Sequence, residues 1–507
     1  MADTKREIER KFEFTKPKAE RRGVPDLTGT AGIAAVHDQG TADLDAVYYD
    51  TPDHRLAADG LTLRRRTGGE DAGWHLKLPV APGVRDEVRA ALSDTLPRSL
   101  AALVRSRVRD APLEPRVRLL SSRRISHLLA ADGTLLAELS TDSVTAERED
   151  TTAAWTEVEV ELADDTDPAL LDAVEKTFGK AGLKVSDAPS KLARALAETG
   201  TEPPARPRPD PGDDGTAGAY VLAYLREQVD ALITYDPAVR RDEPDSVHQM
   251  RVAARRLRSA FKTYRKVLDR DVTDPIGEEL RRLGRELGVD RDQEVLHEHF
   301  LTALTGLPRT LVSGPARRRL RTWNKTRRSG SRRQTLAALD DGRHLALLDT
   351  LEGLLADPPL KSGAGKPAAK ALPEAVLHDY GRLAARVDHA LSLDPGEERD
   401  HALHDARKAA KRARYAAEAA EPALGKPARK LAKAMKSVQS LLGEHQDSVV
   451  ARTALLDLAH QAHGAGEPSF SWGLLHGREE ARAERAERDL PELWAEASDP
   501  ALRAALG

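Results

Sequence analysis

The chain has 507 residues, a formal net charge of −3, and charged side chains at 32% of positions against 4% aromatic. At roughly 150 residues per domain that length is two or three domains, each able to bury its own core, built from Leu, Val and Ala in the near absence of aromatic residues. There is no cysteine, so disulfides, thiolate metal sites and cysteine nucleophiles are excluded. The opening MADTKREIERKFEF has no apolar h-region, and no stretch approaches the ~18 apolar residues of a membrane span; a cytoplasmic location without a membrane partner is expected.

From Glu7 to about Leu196, short runs alternate with period 2: EIERKFEF, LTLRRR, WHLKLP, RDEVRAAL, LLAELS and WTEVEVEL. Gly, Pro and Asp separate them, which predicts an antiparallel β domain with a few helices over residues 1–198. The spacing from Asp167 to Lys180 is helical and predicts a helix packed outside the sheet. A Pro/Gly/Asp-rich linker is expected at 199–218.

Beyond it, residues 219–507 read as long helices dense in Ala, Leu and Arg, divided by a soft break from Asp357 to Glu374 into halves of about 219–357 and 375–500. The halves repeat. HQMRVAARRLR from His248 aligns with HDARKAAKRAR from His404, pairing Arg251 with Arg407, Arg255 with Lys411, Arg256 with Arg412 and Arg258 with Arg414. Downstream, LGVDRD ending at Asp292 answers LGEHQD ending at Asp447, so an internal duplication of a helical unit is the economical reading.

Side chains two apart on a strand share a face. Glu7, Glu9 and Lys11 then point one way and Ile8 and Phe12 the other; Arg64 goes with Arg66, His75 with Lys77, Arg85 with Glu87 and Arg89, and Glu157 with Glu159 and Glu161. One face of many antiparallel sheets simply meets water, and that reading stands for any single strand. If the sheet closes with these faces inward, unpaired buried charge is prohibitively costly and the interior must be wet and ionic. Carboxylates then call for a hard cation, and the Arg and Lys side chains for a polyanion.

At these residues the chain resembles the CYTH domains, or triphosphate tunnel metalloenzymes. EIERK matches their ExExK signature, followed in order by YYDTPDHRLAADGLTLRRR, WHLKLP, RDEVR, WTEVEVEL and SKLARAL, over roughly residues 4 to 198. The resemblance implies an eight-stranded antiparallel tunnel that hydrolyses a triphosphate with a divalent metal. Carried over, Glu7, Glu9, Glu157 and Glu159 hold Mg²⁺ or Mn²⁺ and position water, with Asp142 and Glu161 as further acids near the metal. Lys11, Arg64, Arg66, Lys77 and Lys191 grip phosphates, and Glu87 orients part of a basic set that includes Arg89. In RVRLLSSRRIS, Leu120 and Ser122 interrupt the basic alternation of the family, leaving Arg118 and Arg124 to keep that strand's role. Adenylate cyclase and thiamine triphosphatase activities belong to the same resemblance as alternatives.

On a helix, His248, Arg251, Arg255, Arg258 and Lys262 form one stripe opposite Leu257, Phe261, Tyr264 and Leu268. A solvated basic face is the ordinary fate of such a stripe, but no acidic residue lies between His248 and Lys266 to pair with it, which asks for an outside anion. The run ARRRLRTWNKTRRSGSRR from Ala316 to Arg333 adds basic charge or faces water. Residues 217 to 500 resemble the CHAD domains, which implies two pseudo-symmetric four-helix bundles whose basic surfaces converge on inorganic polyphosphate, and a place at polyphosphate granules. Arg256, His404, Arg407, Lys408, Lys411, Arg412 and Arg414 join the stripe as candidate contacts. Nucleic-acid phosphate is the alternative partner, although sparse aromatics argue against base stacking. The pairs His297/His299, His401/His404 and His460/His463 lack the partners of a zinc site, and Lys366 in SGAGKPAAK is not in a P-loop.

Overall fold

The structure, a computed structural model, describes residues 3–201 and 215–506, apart from the side chains of 3, 289–293, 326–329 and 331. It divides into two compact units, Met1–Pro207 and Arg208–Gly507.

The first unit begins with β1 (Asp3–Phe14), α1 (Pro17–Glu20), β2 (Ala35–Asp50), α2 (Arg55–Ala58), β3 (Thr62–Thr67), β4 (Gly73–Ala81) and β5 (Val84–Ala91). It continues with α3 (Arg98–Val108), β6 (Glu114–Leu129), β7 (Leu135–Arg148), β8 (Thr151–Leu162), α4 (Ala169–Ala181), β9 (Leu183–Val185) and α5 (Lys191–Glu198). The strands run in the order β5-β4-β3-β2-β6-β7-β8-β1, and β5 also pairs with β1, so eight antiparallel strands close into a ring, with short β9 added on β1. Strand β1 makes the seam by changing partner midway: Asp3–Ile8 pairs with β5 and Glu9–Phe12 with β8. Closure gives each of these eight strands a neighbour on both sides over part of its length, and it gives the alternating sequence an inside and an outside.

The outside is apolar wherever a helix covers it. Phe12, Val158, Val160 and Leu162 pack beneath Leu170, Val174 and Phe178 of α4, the helix expected over Asp167–Lys180. The Phe12 and Phe178 rings meet edge to face with centroids 4.8 Å apart. Phe178→Ala is expected to destabilise this unit by about 3–5 kcal/mol, because it opens a cavity beside a second buried ring. Thermal denaturation of the full chain checks this, and an unshifted lower transition would remove α4 from the core. Helix α3 covers Leu63, Trp74, Leu76 and Val88 in the same way. Helix α5 differs: Leu192, Ala195 and Leu196 pack on the inward side chains Tyr48, Leu119, Val144 and Trp155, so it fills one end of the ring. Ser190 caps it by accepting from the Ala193 N–H at 3.0 Å.

The linker expected at 199–218 falls, over 202–214, outside the described residues. The second unit opens with α6 (Ala217–Arg240), α7 (Ser246–Thr263), α8 (Arg270–Glu286), α9 (Gly288–Thr305), α10 (Ala316–Asp340) and α11 (Gly342–Ala356). It ends with α12 (Ala368–Leu391), α13 (Glu397–Leu424), α14 (Lys426–Gly464), α15 (Phe470–Ala497) and α16 (Pro500–Ala504). The break expected through Glu374 ends at Pro367. Pro373 lies early inside α12, where one proline forfeits a hydrogen bond without stopping the helix.

The duplication is visible in the order of elements: α6 and α7 are answered by α12 and α13, and α8 with α9 by the unbroken α14. The two bundles are fused, since residues from α6, α7 and α8 and from α12, α13 and α14 belong to one continuous core. Small residues permit this. Ala402, Ala406, Ala410, Ala413 and Ala417 are all buried along α13, letting helices approach closely. A separate apolar cluster joins α9 and α10 to α14 and α15 through Phe300, Trp323, Leu455 and Trp472.

Candidate active site and anion-binding helices

The ring encloses a cavity of 480 Å³ lined, among the described residues, by nine Lys or Arg and eight Asp or Glu side chains. The inward faces anticipated from the alternation are here: Glu7, Glu9 and Lys11 from β1, Arg64 and Arg66 from β3, Lys77 from β4, Glu87 and Arg89 from β5, Glu159 and Glu161 from β8, and Lys191 from α5. Many of these charges pair with one another. Lys77 Nζ lies 2.6 Å from Glu7, and Lys11 Nζ lies 2.8 Å from Glu9 and 3.0 Å from Glu159. Lys191 Nζ reaches Asp142 at 3.0 Å, Glu157 at 2.9 Å and Glu159 at 2.5 Å. Glu87 is a hub: His75 Nδ1 lies at 3.0 Å, Arg64 at 3.6 Å and Lys77 at 4.0 Å, and Arg89 pairs with it as well. Arg66 pairs with Asp71.

The carboxylates divide into two groups. Glu7, Glu9 and Glu161 each offer an oxygen within 4.8 Å of the others. Asp142, Glu157 and Glu159 instead surround Lys191, and Arg123 joins them with 2.7 and 2.8 Å bonds to Asp142 and a 3.0 Å bond to Glu159. Burial would raise the Glu9 carboxyl, but Lys11 and Lys77 bring it down to about 2. Glu7 goes the other way: burial, helped by Glu87 and Glu161 and opposed by Lys77, raises it above the usual carboxylate range. One carboxylate is thus fixed as an anion, and its neighbour two residues away is easier to protonate.

Strand β6 corrects the sequence reading. Arg118 and Arg124 point outward, are exposed, and pair with Asp45 and Asp38. The inward cation is Arg123, on the same face as Ile125 and His127, which also line the cavity. Adjacent arginines at 123 and 124 carry no signal of sidedness, and the interruption by Leu120 and Ser122 pointed to the wrong parity. Tyr48, whose phenol oxygen accepts from Arg64 at 3.3 Å, is a second lining residue that the alternation of β2 did not single out.

All-oxygen donors suit a hard divalent cation. Glu7, Glu9 and Glu161 fit that requirement, being three carboxylates from adjacent β1 and β8 around one point of the cavity.

In the second unit the basic stripes of α7 and α13 face each other. Arg251, Arg255, Arg407 and Lys411 lie close enough that each of the other three depresses the proton affinity of Lys411. Burial first and then this repulsion push Lys411 down to about 7, with Asp447 only partly offsetting them. Burial first, with Arg251 and Arg407 adding to it and Tyr415 opposing them, lowers Arg255. The packing is pseudo-symmetric in detail: a Cβ on Gly288 would meet the Arg251 guanidinium at 3.1 Å, and one on Gly443 would meet Arg407 at 3.4 Å. The glycine of each LG motif thus makes room for the arginine of its own half.

Other members of the expected set do different things. Arg256 and Arg414 share Glu418 at 3.0 and 2.6 Å, and Arg412 is held by Asp379 at 2.9 Å. Lys408 is exposed and pairs with Asp405, while His404 is half-buried beside Arg407 and Lys408. Arg258 and Lys262 continue the α7 stripe outward, and His248 begins it near the N-terminus of the helix. Of the histidines set aside as zinc ligands, His299 pairs with Glu479 at 2.6 Å. His445, which the sequence did not single out, meets Asp400 and Glu487 at 3.2 Å each. Arg452 and Arg399 pair with those same two carboxylates, so the group is an internal ion network.

Comparison with known proteins agrees with this division. The CYTH domain family matches residues 5–196 and the CHAD domain family residues 223–456. Two curated proteins of Mycobacterium tuberculosis, from strains CDC 1551 / Oshkosh and ATCC 25618 / H37Rv and both described as uncharacterized, are 38% identical over 503 residues, covering 96% of this chain and 94% of theirs. Among solved structures, PptA from Streptomyces chartreusis aligns at 22% identity with a TM-score of 0.46, covering 55% of this chain and 99% of its own. HpAC1 from Hippeastrum, described as having a dominant triphosphatase activity, aligns at 18% identity and a TM-score of 0.26, covering 39% of this chain and 100% of its own. A domain of the triphosphate tunnel metalloenzyme superfamily, whose members depend on divalent metal, followed by a CHAD domain in one chain makes this a CYTH-CHAD protein.

Proposed function

We propose that the tunnel hydrolyses inorganic triphosphate or a related short triphosphate with Mg²⁺ or Mn²⁺, and that the helical unit binds inorganic polyphosphate. The observation that carries the reading is the balance of the cavity, nine basic against eight acidic lining residues. A bare triphosphate entering so evenly charged a space would leave the carboxylates unpaired at high cost, whereas one entering with divalent cations satisfies both rows.

Glu7, Glu9 and Glu161 would hold the metal, with Asp142, Glu157 and Glu159 as the second acidic set. The metal supplies charge neutralisation on the transferred phosphoryl group and a more acidic bound water. Lys11, Lys77 and Lys191 exchange carboxylate partners for phosphate oxygens, and Arg64, Arg66, Arg89 and Arg123 hold the rest of the chain in place. Glu87, fixed by His75 and Arg64, orients Lys77 and Arg89.

Against adenylate cyclase and thiamine triphosphatase stands the lining itself. Among the described residues its one Tyr, Phe or Trp side chain is Tyr48, whose phenol is held by Arg64, leaving little for an adenine or a thiamine ring to stack on. A phosphate-release panel of triphosphate, ATP and thiamine triphosphate with each metal decides. Cyclic AMP as main product would overturn the hydrolase reading.

For the helical unit, the convergence of Arg251, Arg255, Arg407 and Lys411 supports a polyanion, and Tyr415, which lies against Arg255, is buried and offers little face to a nucleobase. Among the described residues no helix is long and apolar enough to cross a membrane; association with cytoplasmic polyphosphate granules belongs to this same proposal.

The depressed Lys411 fixes a pH dependence. Bound polyanion favours the charged amine, so the complex takes up a proton above pH about 7, and affinity is expected to fall as pH rises through that value, by up to roughly tenfold per unit. Arg251, Arg255, Arg407 and Asp447 are the charged groups that face the same amine. Titration of labelled polyphosphate binding from pH 6 to 9 measures it, and Lys411→Arg is expected to flatten the profile.

A further inference from the structure

The duplication is faithful at its centre and broken at its flanks. Arg251 and Arg255 have counterparts of the same sign in Arg407 and Lys411. Four residues further along the helix from Arg258 and Arg414, however, Lys262 in one half stands against Glu418 in the other.

The exchange changes what each flank offers. On the Glu418 side, that carboxylate takes Arg256 at 3.0 Å and Arg414 at 2.6 Å. Both guanidiniums also lie over the ring of Tyr415, each 5.6 Å from its centroid, so the cations here are neutralised and packed. On the Lys262 side the carboxylate is missing. Lys262 is exposed and, among the described residues, makes no ion pair; Arg258 and Arg412 are its cationic neighbours. The acids facing it, Asp274 and Glu278 of α8, already pair with Arg270 and Arg281. Asp379, which holds Arg412, is buried and also accepts from the Thr263 hydroxyl at 2.5 Å.

We propose that polyphosphate leaves the pseudo-twofold centre in one direction only, across Arg258 and Lys262, and that Glu418 closes the equivalent exit on the other side. A chain of repeating, identical phosphates has no reason of its own to prefer a direction. The diverged pair supplies one, by leaving open cations on one flank and an internal ion triad on the other. This inference rests on the reading of the helical unit as a polyphosphate site.

The test is anisotropy of labelled long-chain polyphosphate on the full chain at about 0.1 M salt. Lys262→Gln is expected to weaken long-chain binding about 3–10-fold and to reduce the slope of log affinity against log salt by about 0.7, as one lost phosphate contact does on single-stranded polyanions. Glu418→Gln frees Arg256 and Arg414 and is expected to tighten long-chain binding by a similar factor. If both variants bind as wild type while Arg255→Glu with Lys411→Glu abolishes binding, the central site stands and the one-way path is overturned. Equal losses from Lys262→Gln and Arg414→Gln would overturn it too, since both flanks would then be in use. If the double reversal also binds as wild type, the polyphosphate reading itself falls. Should Glu418→Gln lose the helical circular dichroism of wild type, Lys262→Gln, at an exposed side chain, decides alone.

Discussion

Glu7→Gln is expected to lower metal-dependent phosphate release from triphosphate by at least about 100-fold while leaving the fold intact. The amide keeps the shape of the side chain but removes one anionic donor from the Glu7, Glu9 and Glu161 group, and with it the carboxylate whose proton affinity burial raises. It also leaves Lys77 without its 2.6 Å partner. That loss is tolerable, because Lys77 still has Glu9 at 3.9 Å and Glu87 at 4.0 Å in a cavity large enough for water. Circular dichroism and the thermal transition should therefore stay close to wild type. Undiminished turnover in the folded variant would contradict the assignment. Glu157→Gln makes the useful comparison: its carboxylate is committed to Lys191, so a smaller loss is expected, appearing mainly in KM as that lysine shifts.

The second large effect concerns the helical unit. Arg255→Glu combined with Lys411→Glu is expected to weaken polyphosphate binding by about three orders of magnitude at moderate salt, since two attractive contacts become two repulsive ones. The fold should survive, because the four cations repel one another in the free protein and the reversal relieves that repulsion. Hydrolysis of free triphosphate should not change. Retained binding would put the polyanion elsewhere, and lost hydrolysis would mean that the substitutions disturb more than the surface they occupy.

Much of the tunnel was legible because a strand has the simplest code in proteins. With period 2, EIERKFEF and WTEVEVEL assign an ionic and an apolar face without knowledge of any partner, and both faces lie where the alternation put them. The code fails where adjacent residues are chemically alike. Arg123 and Arg124 are both basic, so parity alone could not choose, and the ladder placed Arg123 inside against Asp142 and Glu159. It also cannot sort one ionic face into subsites. Glu157, Glu159 and Glu161 are equivalent on paper, yet β8 runs past Lys191 at one level and past Glu7 and Glu9 at another.

The helical half divides similarly. The repeat and the basic stripes could be read directly, since a helix shows its faces through spacing and the duplication doubled the signal. Which cations are left without an internal counter-charge could not, because Glu418 and Asp379 reach Arg256 and Arg412 from 162 and 33 residues away.

By itself, then, the amino-acid sequence determined the two kinds of architecture, the inward and outward faces of most strands, the duplicated basic helices and the exclusion of cysteine chemistry. These are consequences of local periodicity and composition. Only the tertiary structure decided which carboxylates share a point in space, which face of β6 is inside, how α5 brings Lys191 into the ring, and which cations lack a counter-charge. Each of these depends on the distance between charges far apart in the chain, and closing the sheet and crossing the helices set those distances.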